Sequence, residues 1–438
     1  MKKIKKIVLS SLVTSLIAPV TGFSAQSVLA KGPEVDAKAG FLVDVESKKV
    51  LYNENGDTEL GIASMTKMIV EYLLFEAIEN GEVTWDQEVE ISEYVHEVSQ
   101  DYLLSNVPLR IDETYTIQEL YEALAIYSAN GATIAIAEAI AGDEVAFVDR
   151  MREKVESWGI TDYQLVNTTG LNNQNLFGKH YPGSAEDDEN SMSARDIAKI
   201  AIHLLEDYPE VLETSSISEK VFREGTSDSI LMKNWNWMLP GLLFEKENVD
   251  GLKTGTTEYA GASITATMTE GNTRIVSVIM GAGDGQTNKG QRFEETTKLL
   301  DYGMAEWKPL PAVESEGNIE AIEPVTISKG KEKTVEVVPN EALAILVPEN
   351  ISEEDLIYSF EPNEKLLDNE GALEAPIEKG TEVGNITVSY EGDSLGYLGE
   401  VESATVPAVT AGTVEKANIF ALAIHSIKNF FGNLMERF

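Results

Sequence analysis

The chain has 438 residues, no cysteine, and 74 acidic against 34 basic side chains, a formal net charge of −40. Charge excludes nucleic-acid binding, because a polyanion is held by clustered Lys and Arg that release its counterions, and the missing cysteines exclude disulfides, thiol catalysis and thiolate metal sites. A hydrophobic fraction of 43% over this length supplies two or three cores and rules out disorder through lack of burial material.

Residues 1–30 read as an export signal. Lys2, Lys3, Lys5 and Lys6 precede an apolar run from Ile7 to Val20, and Val28-Leu29-Ala30 offers a cleavage site before Lys31. The run is interrupted by Ser10, Ser11, Thr14 and Ser15 and is shorter than the roughly 20 residues a membrane span needs. Loss of its four lysines takes the formal charge from −40 to −44.

Between 31 and 309 the pattern mixes strands and helices. Ala39 to Val45 and Lys49 to Tyr52 form an early strand pair, and Ala262 to Met268 and Arg274 to Met280 a late one. Helices are predicted over Met65 to Ile78, Leu120 to Tyr127 behind a Thr116/Glu119 capping box, Ala132 to Ile140 and Val145 to Trp158. Early and late strands flanking helices predict an α+β fold, an antiparallel sheet whose chain ends meet, with an inserted helical lobe. Gly281-Ala282-Gly283 lacks the rest of any nucleotide-binding loop.

Residues 310–410 read as an all-β, sandwich-like domain, with 22 acids against 5 bases from 311 onward. Its expected strands are Glu323 to Ile327, Lys333 to Val338, Ala342 to Val347, Leu356 to Phe360, Glu382 to Tyr390 and Ser394 to Val401. No chemical cluster stands out there, so a spacer or binding module is expected. Residues 413–438 predict an amphipathic helix with Phe420, Ile424, Ile427, Phe431, Leu434 and Phe438 on one face. It is too polar to span a bilayer and suits a membrane surface; packing on a domain is the alternative.

The chemical signal starts at Ser64-Met65-Thr66-Lys67. If Ser64 opens the following helix, Lys67 lies one turn on, its amine near the Ser64 hydroxyl, while the helix start offers N–H groups to a developing anion. A lysine serves as base only when burial or a neighbouring cation keeps it neutral, so the pair demands company. Tyr127-Ser128-Ala129-Asn130-Gly131 falls at a break between helices that can aim a hydroxyl and an amide at a cleft, and Lys253-Thr254-Gly255-Thr256 supplies a cation, two hydroxyls and a glycine that permits close approach.

These three segments, in this order, resemble the signatures of the penicillin-binding serine peptidases, specifically the low-molecular-mass D-alanyl-D-alanine carboxypeptidases. Phe147 to Leu171, Met192-Ser193-Ala194-Arg195-Asp196, Asn234-x-Asn236 and Arg292-Phe293-x-Glu295-Thr296 extend the likeness through the catalytic domain. The resemblance implies a fold of the serine β-lactamase and penicillin-binding transpeptidase type, and no cofactor or metal. It implies that Ser64 attacks the penultimate D-alanine carbonyl of a peptidoglycan stem peptide, that Lys67 takes its proton, and that Ser128 relays a proton to the leaving amine. Asn130 and Lys253 would bind and orient, the Ser64 and Thr256 N–H groups would form the oxyanion hole, and Thr254, Gly255, Thr256 and Arg292 would line the substrate site. β-Lactams would acylate Ser64, and the terminal helix would anchor the protein peripherally at the outer face of the cytoplasmic membrane. A β-lactamase and a noncatalytic penicillin-sensing or peptidoglycan-binding protein are the alternatives.

Gly61-Ile62 stands where the family commonly carries a proline, and 172–190 is an acidic segment with His180 and Tyr181. A solvated loop is the plainer reading of His180 and of Asp187, Asp188 and Glu189 than catalysis or metal binding. The carboxylate specificity predicts a positive cleft within a negative shell. The acidity itself suggests tolerance of high salt or high pH.

Overall fold

The computed structural model describes residues 32–283, 288–399 and 403–418. The export signal and residues 419–438 of the expected terminal helix lie outside them.

A five-stranded antiparallel sheet organises the first domain: β1 (Ala39–Asp44), β2 (Val50–Glu54), β3 (Val249–Thr257), β4 (Gly261–Glu270) and β5 (Thr273–Ala282), in the order β2-β1-β5-β4-β3. β1 pairs with β5 from Ala39 opposite Met280 to Asp44 opposite Ile275, so the two ends of the domain meet at mid-sheet. Alternation divides the side chains between two cores. Phe41, Val43, Val276 and Val278 join the helical lobe, whereas Leu42, Ile264, Ile275 and Ile279 pack with Phe293, Leu299 and Leu300 of the last helix.

The helices are α1 (Lys67–Glu79), α2 (Glu93–Ser99), α3 (Ile117–Tyr127), α4 (Asn130–Ala141), α5 (Glu144–Ser157), α6 (Ala194–Asp207), α7 (Val211–Ser215) and α8 (Gln291–Ala305). The Thr116/Glu119 capping box is present at the start of α3. One expectation changes. Ala63–Thr66 is a 3-10 turn, so Ser64 lies on a tightened entry to α1 rather than on the α-helix itself. Lys253-Thr254-Gly255 lies within strand β3, which pairs with β4 along its length and which its polar residues hide in the sequence.

The second domain is all β. Val337–Pro339, Ala404–Thr410, Glu382–Tyr390 and Leu356–Pro362 form one sheet; Thr334–Val335, Val325–Ser328 and Leu373–Glu374 form another; Trp307–Val313 pairs with Leu343–Pro348. The stretch expected as one strand over Lys333 to Val338 is thus divided between sheets. Ser394 to Gly399 is a loop, not a strand, and the strand that pairs with Glu382–Tyr390 is Ala404–Thr410, disguised by Pro407. Residues 413–418 are extended, with Val414 bridged to Ile377 and Lys416 to Gly330, so no helix begins at 413.

The 391–399 loop reaches back to the first domain. Gly396 O accepts from Val50 N, and Leu398 N donates to Lys48 O. Lys49, fully buried, donates to both oxygens of Asp393 at 2.6 Å and to Gly396 O at 3.2 Å, with the Tyr397 ring 4.8 Å and the Tyr390 ring 5.7 Å from its amine.

Candidate active site

The cleft opens where the Ser64 turn, the α3–α4 junction and β3 converge. Ala63 (φ 46°) and Ser128 (φ 59°) both take left-handed conformations that turn the chain sharply. Ser128 ends α3, and α4 begins at Asn130, so two adjacent helix termini present both side chains to one space. β3 is an edge strand whose outer backbone groups face this space. Gly255 permits the contact: a Cβ there would lie 2.7 Å from Ile62 O and 3.2 Å from Ser64 N.

Lys67 Nζ is 3.0 Å from Ser64 Oγ, 2.9 Å from Asn130 Oδ1 and 2.8 Å from Thr169 O. Lys253 Nζ donates to Ser128 Oγ at 2.9 Å and to Thr254 O at 3.2 Å. Two serine–lysine pairs therefore stand side by side, with Asn130 also tied to Ser105 O through Nδ2 at 3.0 Å. Lys67 is fully buried, and burial, then the positive charge of Lys253, holds its amine well below the usual lysine range; Glu71 and Glu144 oppose this. Burial brings Lys253 down to about 8, against the pull of Glu71 and assisted by Arg292. The arrangement provides what a serine nucleophile needs, a neighbouring amine whose proton affinity is lowered by burial and by a second lysine.

Arg292, in the first turn of α8, does not lie at the surface. It is buried under β3, donating through Nη1 to Gly255 O at 3.0 Å, Thr256 Oγ1 at 2.7 Å and Ser263 O at 3.2 Å, and it reaches the cleft wall. Burial lowers its guanidinium to about 10. The cleft, about 440 Å³, is lined by Ser64, Ser128, Asn130, Thr254, Thr256 and Arg292, with Lys289, Trp235 and Tyr127 at its side. Among the described residues no acid lines it, although the chain carries 74. That composition supports the expectation of a positive cleft in a negative shell.

His180 lies apart from the cleft lining, its Nδ1 2.9 Å from Ser184 Oγ. Asp188 accepts from Ala185 N within its own loop, while Glu189 accepts from Thr257 Oγ1 at 2.6 Å behind the cleft wall. Sequence reasoning missed Glu71 and Thr169. Glu71 was visible as a lone charge in the apolar run of α1, four residues after Lys67; Thr169 contributes a backbone carbonyl, which no side-chain pattern announces.

Residues 26–284 match the D-alanyl-D-alanine carboxypeptidase family, and residues 316–416 match the family described as the penicillin-binding protein 5 C-terminal domain. The D-alanyl-D-alanine carboxypeptidase DacF of Bacillus subtilis is 30% identical over 82% of this chain and 83% of its own. Among solved structures, a peptidoglycan synthesis regulatory factor (PBP3) from Streptococcus pneumoniae has a TM-score of 0.69 at 34% identity, covering 87% of this chain and all of that one. Penicillin-binding protein D2 from Listeria monocytogenes in its ampicillin-bound form has a TM-score of 0.51 at 25% identity, covering 62% of this chain and 99% of that one. With its motifs assembled on this fold, the chain belongs to the D-alanyl-D-alanine carboxypeptidase family of serine peptidases.

Proposed function

We propose that this chain removes the terminal D-alanine from peptidoglycan stem peptides through an acyl-enzyme on Ser64. The observation that carries the reading is the buried Lys67 amine, 3.0 Å from Ser64 Oγ and beside the Lys253–Ser128 pair. Neutral Lys67 takes the Ser64 proton as Oγ bonds to the carbonyl carbon of the penultimate D-alanine. The oxyanion meets the N–H groups of Ser64 and Thr256, donors aimed at charge that exists only in the tetrahedral state. As the C–N bond breaks, the Lys67 proton passes through the Ser128 hydroxyl to the leaving amine, and free D-alanine departs. Water then adds to the ester, gives a proton to Lys67 and restores Ser64 Oγ–H.

Thr254, Thr256 and Arg292 hold the terminal carboxylate in this reading, and the charge of Lys253 draws the anion inward past a negative surface. Penicillin acylates the same oxygen; the ampicillin-bound relative supports that inference. The exported, outer-surface location and the membrane-anchoring role of the C-terminal segment remain part of the proposal, resting on the sequence pattern of residues 1–30 and 419–438. The family does not favour a β-lactamase or a noncatalytic sensor.

Incubating the purified protein with a stem peptide ending in D-alanyl-D-alanine and following free D-alanine tests the reading. The wild type should release it and Ser64→Ala should not; equal release by both would sink the mechanism.

A further inference from the structure

The Thr169 carbonyl that holds Lys67 belongs to a short buried loop, and that loop is secured by a carboxylate outside the cleft. Glu144, in the first turn of α5, is buried. Its Oε1 accepts from Thr168 N at 2.9 Å and from Thr168 Oγ1 at 2.6 Å, and its Oε2 accepts from Tyr94 OH at 2.7 Å. Three donors converge on a group that, ionised, only accepts, so the site is matched to a carboxylate. The next residue, Thr169, gives its carbonyl to Lys67.

The rest of the loop is locked from the other side. Asn167 Oδ1 accepts from Thr169 N at 3.1 Å and Gly170 N at 2.7 Å. Asn190 Nδ2 joins the loop to the nucleophile turn, donating to Asn167 O at 2.8 Å and Thr66 Oγ1 at 3.0 Å. Gly170 packs so closely on that turn that a Cβ would meet Ala63 O at 1.8 Å. Asn167, Thr168, Thr169 and Asn190 are all fully buried, so this framework has no solvent to substitute for a lost partner.

We propose that Glu144 is a positioning residue for the peptidase reaction: it holds Thr168, and through Thr168 the Thr169 carbonyl that keeps the Lys67 amine beside Ser64. The proposal rests on the reading of Lys67 as the proton acceptor. Two acceptors, Asn130 Oδ1 and Thr169 O, take the neutral amine's two N–H groups and leave its lone pair facing the Ser64 hydroxyl. Freeing Thr169 removes one of them and lets Nζ leave the line of the Ser64 proton. Glu144 touches neither the cleft lining nor the reacting atoms, so its loss should act on turnover and not on substrate affinity.

Steady-state kinetics on a D-alanyl-D-alanine stem peptide, with penicillin acylation rates and thermal melts, test this. Glu144→Ala should lower kcat and the acylation rate about 10- to 100-fold with KM changed less than about 3-fold, the scale of a displaced supporting contact. Glu144→Gln should retain activity within about 5-fold, because its amide oxygen still accepts from Thr168 while the Tyr94 hydroxyl turns to accept from the amide nitrogen. Thr168→Val, which deletes one of the two Thr168 donors, should show a smaller loss than Glu144→Ala, and the double variant should be no worse than Glu144→Ala alone. Wild-type kcat in a folded Glu144→Ala variant would overturn the proposal, as would equal losses in the Ala and Gln variants or a rise in KM at constant kcat. If Glu144→Ala fails to fold, Thr168→Val decides, and wild-type kcat there overturns it. Lys67→Ala separates the two readings: retained turnover removes the base assignment, whereas an inactive Lys67→Ala beside a fully active Glu144→Ala removes only the positioning role.

Discussion

In the proposed mechanism Lys67 works as a base only in its neutral form, and Lys253 attracts an anion only while charged, so activity requires two neighbouring lysines in opposite states. Burial lowers both, and each added positive charge lowers its neighbour further. Glu71, one helical turn after Lys67 and itself raised to about 7 by burial, pulls the other way on both amines. kcat/KM should therefore rise with pH as Lys67 loses its proton and fall above about pH 8 as Lys253 loses its own. Replacing Glu71 by Gln removes a negative charge that favours both protonated amines, so both limbs should move to lower pH. A pH profile of the folded Glu71→Gln variant checks the sign; an acidic limb displaced upward would contradict it. The Ser64–Lys67 spacing made their pairing legible in the sequence. Of the carboxylates near Lys67, Glu71 showed only as a lone charge in the apolar run of α1 and Glu144 not at all, because a buried Glu is written with the same letter as a solvated one, and this chain is rich in solvated ones.

At the scale of elements, the site depends on β3 lying against the Ser64 turn. Gly255 is the residue through which they touch, with Ile62 O, Ala63 Cβ and Ser64 N all within 3.2 Å of where a Cβ would stand. Two of those three atoms are backbone, so a methyl group cannot be accommodated by a side-chain rotation. Gly255→Ala should separate strand and turn by a few tenths of an ångström at the two proposed oxyanion donors, lowering kcat about 100-fold, near the loss of one such donor. Single-turnover acylation by a chromogenic cephalosporin would read this directly, with the melting temperature as control; unchanged acylation would show that the turn yields. Helices α3, α4 and α5 were readable to within a few residues because apolar residues recur at helical spacing in all three, with a capping box marking the start of α3. β3 was not, since Val249–Thr257 carries Asp250, Lys253 and three threonines where a strand pattern would alternate. The same polar residues that conceal the strand are the ones the cleft uses, so the sequence spoke more clearly of chemistry than of structure at this point.

Over the whole molecule, the excess of acids occupies the surface and the β-rich domain, while the cleft lining holds Lys289 and Arg292 and no acid among the described residues. The tolerance of high salt expected from this acidity would come from screening of the repulsion between surface carboxylates. One ion pair should escape that screening. Lys49 is fully buried against the 391–399 loop, Asp393 is 15% exposed, and together with two backbone bonds they fasten the β-rich domain to the β1–β2 hairpin. Removing one partner of such a pair strands the other's charge and costs about 3–5 kcal/mol, and the stranded charge is fully buried if it is Lys49 but keeps some access to water if it is Asp393. Asp393→Ala should therefore destabilise strongly, and Lys49→Met, which keeps the stem between the Tyr390 and Tyr397 rings, should destabilise much less. Denaturant titrations followed by penicillin binding for the first domain and by tyrosine absorbance for both would show Asp393→Ala uncoupling the two transitions. The wild-type coupling should persist as salt is raised, since the pair lies out of reach of counterions. Equal losses from the two substitutions, or a coupling that disappears with salt, would mean that the domains are held by their backbone contacts and surface charges instead.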